Sequence, residues 1–204
     1  KRWKGKGGKI TWERMGQGAN ETYAVLNSFK IAMNKSTVRV DTVTLTTPYF
    51  DKPITGKLIE SAQKNRREAD MTYPQFISFD RKLIIEEIVP NVDYVGGFEL
   101  KGSSFYGTGS NTVPSQISIK RNGTPFIVAK SDKIIVRSDK IQIDESETAI
   151  YLNSGDSIYH PGVDFKYDLK DKKILLTRTQ SGIGQASFLN SYHQLEMLVP
   201  KIIW

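Results

Sequence analysis

From residue 91 onward, turn-forming residues recur about every 8 to 12 positions, which is the spacing of an all-β chain. The segments between them read as short strands. Ser115 to Lys120 alternates apolar and polar residues, Arg121-Asn122-Gly123-Thr124 is the strongest hairpin signal, and Pro125 to Val128 returns. Thr148 to Leu152, Ser157 to Tyr159, Val163 to Tyr167 and Ile174 to Thr179 follow. They are separated by Asn153-Ser154-Gly155-Asp156, Pro161-Gly162 and Asp168-Leu169-Lys170-Asp171. Ser131-Asp132-Lys133-Ile134 is echoed at Ser138-Asp139-Lys140-Ile141, and the β-branched residues after each copy predict consecutive strands around a Ser-Asp turn. Gly96, Gly97, Gly102, Gly107 and Gly109 lie in strand-like sequence, where glycine marks tight bends or close packing.

The first 90 residues are more mixed. Lys9 to Trp12 predicts a short strand, and Tyr23, Val25, Phe29 and Ile31 share one parity within Thr22 to Met33. The apolar parity flips between Val40 and Val43, which predicts a bulge near Asp41-Thr42. Residues 57–71 hold the one helix candidate, with Leu58, Ile59 and Ala62 as its apolar stripe. Phe76 to Phe79 and Lys82 to Val89 read as a hairpin around Asp80-Arg81. The expected class is all-β, an antiparallel sandwich of jelly-roll type or a stacked β-sheet repeat, with at most one short helix. The expected organisation is a basic linker-like stretch at 1–14, a mixed β segment at 15–90 and a β-rich region at 91–204.

Composition excludes several chemistries. The 204 residues include no cysteine, so disulfides, thiolate zinc sites and cysteine nucleophiles are absent. No apolar run reaches the 18 residues that a membrane-spanning helix needs. The net charge is +7, of which residues 1–14 carry +5 and the other 190 residues +2. A basic tail therefore accounts for most of it, and a fold-wide nucleic-acid face is not expected. The tail could still touch phosphate or an anionic membrane, although a linker to a neighbouring domain is the plainer reading. Both ends, Lys1-Arg2-Trp3-Lys4 and Val199 to Trp204, read as cut from a longer polypeptide.

Motifs for catalysis are sparse. His160 and His193 are the two histidines, each beside a tyrosine, in Tyr159-His160-Pro161-Gly162 and Tyr192-His193-Gln194. Asp156, Ser157 and Ser191 are near them in sequence, but without a nucleophile elbow the plain reading is two turn or surface histidines. Glu86-Glu87 would point to opposite faces of a strand. Asp144, Glu145 and Glu147 read as a solvated turn without calcium-loop spacing. Gly102-Ser103-Ser104-Phe105-Tyr106-Gly107 lacks a phosphate-loop pattern. No metal or cofactor is expected, and an enzyme is the less favoured reading. Trp3, Trp12 and Trp204 near the ends could stack on sugars or on a neighbouring domain. With Tyr159, His160, Tyr192 and His193 they form the candidate binding set.

Four segments together resemble very large exported β-rich proteins of Bacteroidota. They are Gly7-Gly8-Lys9-Ile10-Thr11-Trp12-Glu13-Arg14, Val92-Asp93-Tyr94-Val95-Gly96-Gly97-Phe98, Asp156-Ser157-Ile158-Tyr159-His160-Pro161-Gly162, and Ser191-Tyr192-His193. Ala149 to Arg178 is also similar to the jelly-roll repeats of lipopolysaccharide-transport proteins of the bacterial envelope. These resemblances imply an exported, periplasmic, cell-envelope or extracellular setting. They imply a non-enzymatic structural or binding segment whose partners are neighbouring domains. A carbohydrate-binding or carbohydrate-active module, with a glycan ligand, and a lipid-transport module are the alternatives.

Overall fold

The computed structural model describes residues 2–61, 72–152 and 154–204. Those residues form antiparallel strands and two short 3-10 turns, Glu13–Met15 and Gly182–Gln185, with no α-helix among them. The chain is all-β, and among the described residues no helix is long and apolar enough to cross a membrane. It divides into two compact units that interleave along the sequence. One is Lys1–Arg81 with Gly97–Tyr106, the other Lys82–Gly96 with Gly107–Trp204. The single boundary expected near residue 91 therefore falls inside a segment of the second unit.

The first unit holds β1 (Arg2–Thr11), β2 (Tyr23–Ala32), β3 (Thr37–Thr46), β4 (Ile54–Ser61) and β5 (Gln75–Ser78). It also holds the second half of β7 (Val92–Lys101). Each strand pairs antiparallel with the next, and β5 pairs with β7. The expected bulge is present: the β3–β4 register shifts between Val40 and Val43. Phe98 centres the core, with the rings of Phe50, Phe105, Tyr49 and Phe76 at 5.2, 5.3, 5.7 and 6.1 Å. Burial raises the pKa of the Tyr49 phenol above its ordinary value.

Three expectations change here. The stretch taken as a linker is strand: β1 pairs with β2 along nearly its whole length. An outermost strand tolerates its lysines because only one edge must be paired and their heads reach water. The helix expected at 57–71 begins as strand, since residues 57–61 belong to β4; residues 62–71 lie outside the described residues. Here the buried positions follow period two, Gly56 and Leu58, and β4 is laddered on both sides, to β3 and β5. The buried face of β2 is Ala24 and Leu26, while Val25, of the parity expected inside, is exposed.

The second unit takes β6 (Leu83–Val89), the first half of β7 and the end of β8 (Ser104–Thr108). It continues through β9 (Ser115–Arg121), β10 (Thr124–Ser131), β11 (Lys133–Val136), β12 (Lys140–Tyr151) and β13 (Ser157–Asp168). It ends with β14 (Lys173–Thr177), β15 (Phe188–Asn190), β16 (Leu195–Met197) and β17 (Lys201–Ile203). The ladder runs β6, β7, β9, β10, β12, β13. β6 makes its hairpin with β7, whereas β5, its expected partner, pairs with β4 and β7. Asn122 and Gly123 both have positive φ, 52° and 77°, which is the hairpin turn that Asn-Gly predicts.

The two longest strands each change partner midway. β12 pairs first with β11 and then with β10; β13 pairs first with β15 and then with β14. The change coincides with register shifts between Ile143 and Thr148, where Glu145 takes a φ of 51°. Pro161-Gly162, expected to separate two strands, lies within β13 opposite this irregularity, where a residue without an N–H is tolerated. Asp144, Glu145 and Glu147 therefore sit in a bulged strand, not in a loop after one. Gly107 is required by packing: a Cβ there would stand 2.5 Å from the ring of the fully buried Tyr94.

Candidate functional site

β2 and β3 pair only from Tyr23 to Leu26 against Val43 to Thr46. Beyond that they part, because β2 stays on β1 and β3 stays on β4. The opening between Asn27–Ala32 and Lys35–Thr42 is a groove of about 1320 Å³. Its walls carry Arg2, Lys4 and Lys6 from β1, Lys30 from β2, Lys35 from the connection and Arg39 from β3, against one acid, Asp41.

Two features make this groove unusual. Lys4 is directly opposite Lys30 in the β1–β2 ladder, a like-charge pairing that opposes strand association. Elsewhere cations find carboxylates: Arg14 with Glu60 at 2.8 Å, Lys120 with Asp93 at 2.8 Å, and Lys130 with Glu147 at 3.3 Å. Among the described residues, none of the six groove cations has a carboxylate within ion-pair distance. Such an arrangement can hold a chain of spaced negative charges.

The expected site residues scatter. Trp3 is 65 % exposed on β1, opposite Ile31. Trp12 is fully buried in the first unit, and its indole N–H has no acceptor among the described residues. It is a core residue, not a sugar platform. Trp204 is 43 % exposed in the second unit, with its ring 5.0 Å from that of Phe126.

His160 is not the turn or surface residue expected: it sits in β13 with 0 % exposure. Its Nδ1 accepts the Gly162 N–H at 3.0 Å, which places the proton on Nε2, donated to the Ala186 carbonyl at 2.9 Å. Burial depresses its pKa, the Ala186 hydrogen bond opposes that, and the charge of Arg178 adds to it. Both ring nitrogens are occupied, so His160 has no lone pair left for a substrate. The same Ala186 carbonyl accepts from Arg178 Nε at 2.6 Å, while the Arg178 terminal nitrogens donate to the carbonyls of Gln185 and Leu198.

Ser191 does meet Asp156, as nearness in sequence did not guarantee. Its hydroxyl donates to Asp156 at 2.9 Å and accepts the Ser157 N–H at 2.9 Å. The hydroxyls of Ser154 and Ser191 hold the Asp156 carboxyl below its ordinary pKa. The serine proton thus points at a carboxylate, an arrangement that fixes a loop and activates no nucleophile. Tyr192 and His193 lie on the exposed turn after β15 with rings 4.7 Å apart. The half-buried Tyr159 lines a separate shallow hollow of about 340 Å³ with Leu189 and Leu195. Burial, with the nearby Glu147, raises the pKa of its phenol.

The groove residues were missed in the sequence because a tail reading set β1 aside. One signal was legible: Arg2, Lys4 and Lys6 recur at period two, the spacing of one strand face. Lys30, Lys35 and Arg39 gave none, since they join the site only through the β1–β2 ladder and the parting of β3. Comparison with known proteins returned no matching family model, no similar curated protein and no similar solved structure.

Proposed function

We propose that this chain is a non-enzymatic binding segment of a larger exported protein, and that the β1–β2–β3 groove holds an acidic polysaccharide. The carrying observation is the set of six cations without a carboxylate partner among the described residues, with Lys4 and Lys30 directly opposed, along one open groove. An anion between those two lysines turns a repulsive cross-strand contact into a bridged one. An open groove suits a chain that lies along it better than a small ligand that must be enclosed. The exported setting rests on the sequence resemblance, and with it the choice of a polysaccharide over a nucleic acid.

The test is titration with dextran sulfate, neutral dextran and a single-stranded oligonucleotide. Dextran sulfate should bind, weakening steeply between about 50 and about 200 mM salt as released counterions oppose it. Neutral dextran should not bind. Changing Lys4 and Lys30 together to alanine should weaken binding about tenfold or more. Equal binding of dextran and dextran sulfate, or no effect of the double change, would sink the reading; tighter binding of the oligonucleotide would replace the polysaccharide with nucleic acid.

A further inference from the structure

The second unit has its own pocket, of about 510 Å³, beside the β9–β10 hairpin. Arg121, at the end of β9, lays its guanidinium 3.9 Å from the centre of the Phe126 ring and 5.6 Å from that of Trp204. Phe126 is only 9 % exposed, so Arg121 and Trp204 cover it. Trp204 is placed by its main chain, whose N–H and carbonyl both bond Ile174 at 2.9 Å.

This stack leaves a specific chemistry unused. A guanidinium on a ring spends its flat face and keeps its in-plane N–H fork. No acceptor meets that fork among the described residues, and no Asp or Glu lines the pocket. The adjacent Lys120 is committed to Asp93 at 2.8 Å. Lys172, in the β13–β14 turn, supplies a second cation at the rim without a carboxylate partner among the described residues. A guanidinium anchored on a ring can meet a carboxylate bidentately, and the exposed Trp204 ring beside it offers a flat apolar wall.

We propose that this pocket binds a small carboxylate carried on a ring with an apolar face. Arg121 takes the carboxylate through two N–H donors, and the ligand ring packs on Trp204. A uronic acid and an aromatic acid share this chemistry. The pocket lies wholly within the second unit and does not depend on the groove of the first.

The test uses the 204-residue chain and calorimetric titration with glucuronate, benzoate and glucose. One or both acids should bind and glucose should not; glucuronate alone identifies an acidic sugar, benzoate alone an aromatic acid. Arg121→Lys keeps the charge and loses the fork, and should weaken the acid about tenfold. Trp204→Phe should weaken it less than Trp204→Ala, and neither should change dextran sulfate binding in the groove. Binding of glucose as tight as that of the acids, no binding of either acid, or unchanged affinity in both Arg121→Lys and Trp204→Ala would overturn the proposal.

Discussion

The ring of Phe29 fills the space above Gly5, directly opposite it across the β1–β2 ladder, where any side chain on residue 5 would collide with it. Glycine on an outer strand thus seats this ring on the sheet face opposite to that of Lys4 and Lys30. Gly5→Ala should swing the ring aside and cost about 1 kcal/mol, the lower end for overpacking, because the colliding atoms are the far end of a side chain that can turn. Denaturant unfolding would measure the loss. Binding at Lys4 and Lys30, on the opposite face, should hold; an unchanged stability would show that Phe29 does not depend on Gly5.

Lys30→Glu separates binding from folding. The substitution places a carboxylate opposite Lys4 and replaces a repulsive cross-strand pair with an attractive one. The thermal midpoint at low salt should hold or rise, while dextran sulfate affinity falls about tenfold or more. A variant that loses stability as well as binding would place Lys30 in the fold and not in the site.

His160 should make the second unit sensitive to acid. Its pKa in the folded chain is depressed below the ordinary 6.5, first by burial and then by Arg178. The folded state therefore binds fewer protons than the unfolded chain, so the histidine's contribution is complete above pH 6.5 and is lost as pH falls toward the folded value. The denaturant midpoint should drop between pH 7 and pH 5. His160→Gln keeps a donor for Ala186 but cannot titrate, and should flatten that part of the profile. Equal slopes in the two proteins would remove His160 as the cause.

Arg178 should govern the C-terminal segment. Its fork holds the carbonyls of Gln185, Ala186 and Leu198, three points on a stretch with few strands of its own. Arg178→Lys retains the charge but not the planar fork. Amide exchange in 182–199 should quicken about tenfold or more, while β1 to β4 stay protected. Exchange that stays slow there would mean that the β14–β17 ladder alone holds the segment.

Much of the β architecture was legible because its causes are local. Asn122-Gly123 has the composition of a turn with two positive φ values, and the structure places it there. The parity flip between Val40 and Val43 marked a bulge, since two successive residues on one side of the count require an extra one in the strand. The failures came where a partner strand decides. Residues 57–61 offered an ambiguous apolar stripe, and two flanking ladders made it strand. Pro161-Gly162 reads locally as a break, yet the irregularity of β12 opposite it lets β13 continue.

The candidate residues divide in the same way. Trp12 and His160 were legible as residue types with binding chemistry, but burial turned both into core groups. Arg2, Lys4 and Lys6 were visible and were set aside, because charge alone does not tell a tail from an edge strand.

By itself the sequence determined an all-β chain without thiol chemistry and with its excess charge at the front, since turn spacing, alternation and composition act within a few residues. Only the tertiary structure decided that this charge lies on a paired strand, sets Lys4 opposite Lys30, shares an opening with Lys35 and Arg39, and meets no carboxylate among the described residues. Pairing and parting of strands are settled by residues far apart in the chain, and a site built from them exists only once the ladders have formed.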